Sequence, residues 1–166
     1  PTTLLAQADS CIGGKISINF KKYKNQIGSF YPPNTVYLDL NFLSTLSKSQ
    51  IYSGVGEMLH YFFISNYKDY LLIKNNINLL LNSDLKTMSK IIFRCLEIKK
   101  KFIEKDEFDK GIRLLLNYGH TFGHALESIT EYKMPHGIAV AYGMDISNYM
   151  SFRYGYLSKK NYDEMH

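Results

Sequence analysis

The 166 residues include only two cysteines, Cys11 and Cys95, and these stand far apart with no zinc-finger spacing between them. No secretory leader is recognisable, so free thiols in a reducing cytoplasm are the expectation. No apolar run reaches the roughly 18–20 residues that a helical membrane span needs, and no membrane association is expected. The net charge of +5 suggests nucleic acid at first sight. The sequence, however, has no basic arm and no aromatic RNA-binding signature. Its densest basic run, "IKKKFIEKDEFDK", alternates lysines with acids and reads as a solvated helix face, so no nucleic-acid partner is expected. Internal repeats and low-complexity linkers are absent too. What remains, 45% hydrophobic and 21% charged, is enough for one sizeable core.

Two textures divide the chain. "DSCIGGKISINFKKYKNQIGSFYPPNT" is rich in Gly, Asn, Ser and Pro and reads as loops and short extended pieces, suited to backbone that must approach a ligand. "TVYLDL", with its β-branched and aromatic residues, is expected to form a strand. Beyond it the apolar residues recur at steps of three and four. Helices are expected from Ser47 or Ser49, from about Tyr67, and from a cap at Ser83 or Asp84. Two more are expected through "RLLLNYGHTFGHALESIT" and from "PHGIAVAYGM" onward. The expected class is mainly α, with a loop-rich segment over residues 1–40 and a helical body over 41–166.

Three of the five histidines fall between Asn117 and Gly137, in "NYGHTFGHALESITEYKMPHG". On a helix, His120 and His124 project from one face, and an H-x3-H pair can hold one divalent ion through neutral imidazoles. Gly119 and Gly123 each precede a histidine. Glycine inside a helix costs about 1 kcal/mol relative to alanine, so the pair suggests close approach of another element. Glu57, flanked by Gly54 and Gly56 in an apolar stretch, is a further candidate ligand, since a buried carboxylate needs a cation. The competing reading is a tightly packed helix whose histidines are hydrogen-bonded core residues.

Several segments, in order, resemble 3-dehydroquinate synthase and the related sugar-phosphate cyclases: "PTTLLAQADSCIGGKISIN", "KNQIGSFY", "GEMLHY", "KDEFDKGIRLLLNYGHTFGHALE" and "HGIAVAYGM". The resemblance implies the helical C-terminal domain of a two-domain enzyme plus the end of its nucleotide-binding domain. The glycine-rich NAD cradle would lie upstream of Pro1. It further implies a carbon–oxygen lyase that cyclises a heptulosonate phosphate to 3-dehydroquinate with loss of phosphate, in aromatic amino acid biosynthesis. NAD would oxidise one substrate carbon and later reduce it, beside a zinc or cobalt ion. The full-length protein would be a cytoplasmic homodimer.

Residue by residue, the resemblance implies Glu57, His120 and His136 as metal ligands, and moves His124 from the metal to proton transfer near the substrate phosphate. Asp9, Lys99 and Arg113 join His124 as catalytic positions, while Lys15, Asn25, Asn117 and His60 correspond to substrate-binding ones. Thr2, Thr3, Lys15, Lys24, Phe42, Leu43, Ser44 and Thr45 match positions that touch NAD. Two residues depart from the family pattern: His60 stands where a lysine is usual, and Ile138 where an acid is. An imidazole has neither the reach nor the permanent charge of an ammonium, so the substrate is put in question more than the metal. Three alternatives therefore stay open. They are a sister cyclase with another substrate, a metal-dependent alcohol or glycerol dehydrogenase, and a non-catalytic protein that keeps the fold.

Overall fold

The computed structural model describes residues 1–21 and 23–166, except for the side chain of Lys24. One π-helical turn, Ala6–Ser10, leads into an antiparallel hairpin of β1 (Lys15–Phe20) and β2 (Tyr23–Phe30). A 3-10 turn, Leu40–Thr45, precedes the helices α1 (Lys48–Ser65), α2 (Tyr67–Leu81) and α3 (Leu85–Ile103). After a second 3-10 turn, Ile112–Asn117, come α4 (His120–Ile129), α5 (His136–Arg153) and α6 (Lys159–Met165). The expected class, mainly helical with a small strand-bearing front segment, is the observed one. No helix among the described residues is long and apolar enough to cross a membrane.

Side-chain caps fix most helix starts. Ser47 Oγ accepts from the Gln50 N–H while Gln50 Oε1 accepts from the Ser47 N–H, a reciprocal box that satisfies two otherwise orphaned donors. Asn66 and Asp84 cap α2 and α3 through the N–H groups of Asp69 and Thr87. Between those helices the Arg94 guanidinium forks onto both oxygens of Asp69 at 2.8 Å. The core lies among α1, α2 and α3, where Met58, Phe62, Ile73, Leu80, Met88 and Ile91 are fully buried. Leu4 and Ala8 of the front segment belong to the same core, which seats that segment on α1 and α3.

Two expectations fail here. "TVYLDL" is not a strand: residues 35–39 are irregular and run into the 3-10 turn. Among the described residues no strand lies beside it to pair with, Asp39 caps the turn through the Asn41 N–H, and Leu38 and Leu40 pack on the core instead. "RLLLNYGHTFGHALESIT" is not one helix either. Gly119 takes the left-handed conformation at φ +83°, so the chain breaks before His120 and restarts there. Gly119 is thus the residue that starts α4, not an interior glycine. Gly123 does lie inside α4, where an added Cβ would stand 3.1 Å from the Val140 backbone of α5.

The closest helix contact is between α1 and α5. A Cβ on Gly137 would sit 1.7 Å from the Ser53 carbonyl oxygen, and one on Gly56 would sit 2.2 Å from the Gly137 carbonyl oxygen. Pro135 provides no side-chain cap for α5, and Ser53 of α1 does so across the gap, its Oγ accepting from the Gly137 N–H at 3.0 Å. Gly137→Ala is therefore expected to lower stability by at least about 1–3 kcal/mol, as overpacking does. Urea unfolding measures this, and an unchanged midpoint would contradict the close contact.

Candidate metal centre and polar cavity

Three helices bring three histidines around one buried carboxylate, with a fourth beside them. Glu57 is 3% exposed in the middle of α1. His120 and His136 are the first residues of α4 and α5, so the glycine contacts that bring α5 to α1 and α4 to α5 also bring the imidazoles to the carboxylate. His120 Nε2 lies 3.6 Å from Glu57 Oε1, and His136 Nε2 lies 3.5 Å from Glu57 Oε2. The other nitrogen of each ring faces a second acceptor. His120 Nδ1 is 3.3 Å from the Tyr118 carbonyl oxygen, and His136 Nδ1 is 3.2 Å from the buried Glu127 carboxylate. His60, one turn beyond Glu57, has Nδ1 3.7 Å from Glu57 Oε1.

His124 occupies the outer side of the group. It is exposed, its ring 5.4 Å from that of His120 and 5.8 Å from that of His136. The spacing argument is thus correct that His120 and His124 share a face. Nitrogens of His120, His124 and His136 lie within 4.8 Å of one another, so this trio could also hold an ion. Two overlapping donor sets therefore share His120 and His136, one completed by buried Glu57 and the other by exposed His124.

Electrostatics favours the inner set. Burial pushes the Glu57 carboxyl up, but the adjacent imidazole of His120 and the charges of His60 and His136 outweigh it and hold the group below the usual carboxylate range. Burial pushes the His120 imidazole down, and its interactions with Glu57 more than reverse this. Burial dominates at His60 and lowers it. Among the described residues, Glu57 Oε2 and both nitrogens of His60 are buried without a hydrogen-bond partner. Such unpaired groups are costly in a protein interior unless something binds them.

Beside these groups lies a cavity of about 120 Å³ whose lining includes Glu57, His60 and His120, with Asp9, Lys99 and Arg113 across from them. Lys99 Nζ donates to Asp9 Oδ1 at 2.8 Å and to the Asp9 carbonyl oxygen at 2.7 Å, and the Tyr61 hydroxyl donates to the same Asp9 oxygen. Burial and the adjacent Asp9 carboxylate raise the Tyr61 phenol well above its ordinary range, so it stays a donor. The Arg113 guanidinium, 2% exposed, donates to the carbonyl oxygens of Gly13 and Glu107. Lys15 pairs with Asp109 at the cavity edge, and Asn117 also lines the cavity.

Other expected positions lie elsewhere. Asn25 does not line this cavity. It sits on the exposed hairpin at φ +55°, where its carbonyl Oδ1 accepts from Ser17 Oγ at 2.8 Å. Thr3 Oγ1 caps the first turn through the Ala6 N–H, and Thr2 is exposed beside it. Phe42 is half-exposed and Leu43 is in the core, while Ser44 and Thr45 bond to backbone carbonyls of their own turn. Gln7, fully buried, ties the two regions together by donating to the Asp39 carbonyl oxygen at 2.8 Å. The Lys24 side chain lies outside the described residues. Sequence reasoning missed Tyr61, Ser53 and Glu127. Of these only Glu127 carried a signal, its place seven residues after His120 on the same helical face.

The model of the 3-dehydroquinate synthase C-terminal domain matches residues 54–166, and that of the N-terminal domain matches residues 1–53. The chain belongs to the 3-dehydroquinate synthase family. It is 45% identical over 157 residues to 3-dehydroquinate synthase of Dictyoglomus thermophilum, covering 94% of this chain and 44% of that protein. It is 44% identical over 160 residues to the synthase of Buchnera aphidicola subsp. Cinara cedri, covering 96% and 44% respectively. The chain thus spans less than half the length of these relatives. Among solved structures, 2-deoxy-scyllo-inosose synthase in complex with carbaglucose-6-phosphate, NAD+ and Co2+ superposes with a TM-score of 0.92 at 28% identity, over 99% of this chain and 45% of that one. A 2-epi-5-epi-valiolone synthase from Streptomyces hygroscopicus shares the fold, with a TM-score of 0.90 at 23% identity over 99% of this chain and 46% of that one.

The Asp9–Lys99 pair offers a direct test of the cavity. Lys99→Met should destabilise the chain by about 1–3 kcal/mol by leaving Asp9 without its cation. Adding Asp9→Asn should cost much less than the sum of the single changes. Strict additivity in urea unfolding would show that the two side chains do not interact.

Proposed function

We propose that this chain is the metal-holding part of a 3-dehydroquinate synthase, acting on a heptulosonate phosphate with NAD and a divalent ion, zinc or cobalt. The observation that carries the reading is the buried carboxylate of Glu57 facing His120 and His136, beside a cavity lined by Lys99 and Arg113. One carboxylate and two imidazoles suit such an ion, and the unpartnered Glu57 Oε2 is what a ligand awaiting its metal leaves. Glu57, His120 and His136 would hold the ion, which when bound would polarise a substrate oxygen. NAD, touching Thr2, Thr3, Lys15, Lys24 and residues 42–45, would supply the reversible oxidation.

The remaining residues bind and move protons. Lys15, Lys99 and Arg113 place three cations where a carboxylated sugar phosphate presents anions, and charge-assisted hydrogen bonds are the strong ones. Asp9, fixed by Tyr61 and Lys99, offers an acceptor to a substrate hydroxyl. His124, on the exposed side, would carry a proton to departing phosphate. Asn117, His60 and Asn25 would complete the substrate contacts. Residues 1–40 thus serve substrate and nucleotide, and residues 41–166 carry the metal. A related cyclase acting on another sugar phosphate is the second reading, favoured by His60 and Ile138.

Two measurements test this. Elemental analysis of the purified chain should find one equivalent of metal in wild type and in His124→Ala, but little in Glu57→Gln or His136→Ala. Loss in His124→Ala with retention in Glu57→Gln would replace the inner donor set by the outer one. For the reaction, the chain is substituted for the matching segment of the Dictyoglomus thermophilum enzyme. The chimera should release phosphate from a heptulosonate 7-phosphate only with NAD+, while the 166-residue chain supplied with NAD+ should release none. A folded, metal-loaded chimera active only on another sugar phosphate would select the second reading.

A further inference from the structure

The inner donor set leaves one imidazole without a role that its geometry explains. His60 is 1% exposed, and neither ring nitrogen has a hydrogen-bond partner among the described residues. Its face packs on Tyr61, with ring centroids 4.0 Å apart, which accounts for the carbon atoms but not for the nitrogens. Nor does Glu57 satisfy it, since 3.7 Å is too long for a hydrogen bond.

That distance is instead the spacing of two ligands around one ion. Donors bound tetrahedrally at about 2.1 Å stand roughly 3.4 Å apart. From the Glu57 carboxylate oxygens, the ring nitrogens lie at 3.6 Å for His120, 3.5 Å for His136 and 3.7 Å for His60. The His60 and His120 rings are 5.7 Å apart and nearly perpendicular, close to the 5.3 Å between His120 and His136. Because His60 follows Glu57 by three residues on α1, both side chains leave the helix on one face.

We propose that His60 is a further ligand of the ion held by Glu57, His120 and His136, bound through Nδ1. The inference rests on that ligand set. This chain then offers four protein donors, a fuller shell than the three with which catalytic zinc sites are usually built. Ligation at Nδ1 also fixes the ring proton on Nε2, so His60 presents a constant donor while its other nitrogen is engaged. An ammonium at this position would donate as constantly but has no lone pair with which to ligate the ion. The substitution therefore changes how firmly the ion is held, besides changing what lines the cavity.

The test uses the 166-residue chain with Zn2+ and Co2+ alone. In histidine-labelled wild type, long-range 15N–1H spectra should show His60 passing, on Zn2+ addition, to the Nδ1-bound, Nε2-protonated form. His60→Gln and His60→Phe should weaken zinc binding, measured by chelator competition, by more than the 10–100-fold typical of groups outside the ligand set. Both variants should also alter the visible bands of bound Co2+. Wild-type spectra in which His60 is unmoved by a bound ion would overturn the inference while leaving Glu57, His120 and His136 as ligands. Zinc affinity and cobalt bands unchanged in both variants would do the same. Failure of wild type to bind either ion would instead overturn the ligand set itself, and this inference with it.

Discussion

A carboxylate buried to 3% exposure in the middle of a helix is the constraint around which this molecule is arranged. An ionised Glu57 without compensation would cost several kcal/mol in a low-dielectric interior. The compensation comes from elements remote in sequence: His120 and His136 open α4 and α5, and both helices are drawn to α1 or to each other by glycines whose Cβ would collide. Ser53 both crowds Gly137 and caps α5, so the same contact that allows close approach also satisfies the helix end that carries His136. Packing, capping and electrostatics therefore act at one place.

The front segment is held to this frame by polar contacts as much as by apolar ones. Leu4 and Ala8 are buried in the core, but Asp9 is fixed by the Tyr61 hydroxyl and the Lys99 ammonium. Arg113, distant in sequence but lining the same cavity, holds the carbonyl oxygen of Gly13 at 2.9 Å. A group of cations thus lines the same small cavity as Glu57, His60 and His120. The lysines of the "IKKKFIEKDEFDK" run divide accordingly: Lys100 and Lys101 are solvated as expected, whereas Lys99 turns inward to Asp9.

Much of this was legible in the sequence, and the failures have physical causes. Ser47 and Asp84 announce their helices because capping is local chemistry, written within three residues. The histidine cluster was legible from its spacing and from the resemblance carried by "GHTFGHALE", but the two pointed to different partners, His124 and Glu57. Spacing registers only neighbours on one helix, and the contact between α1 and α5 that brings in Glu57 is tertiary. The same limit hid Ser53 and Tyr61, ordinary residues whose roles exist only once α5 and the front segment are in place. "TVYLDL" misled in the opposite direction: its composition suits a strand, but a strand needs a partner, and composition does not supply one.

The account stands on an ion lying between Glu57, His120 and His136, and anomalous scattering at the zinc edge from crystals grown with Zn2+ locates that ion directly. The account predicts a single strong peak within about 2.0–2.2 Å of the Glu57 carboxylate and of a nitrogen of each histidine. A peak bonded to His120, His124 and His136 but out of reach of Glu57, or no peak at the cluster, would contradict it.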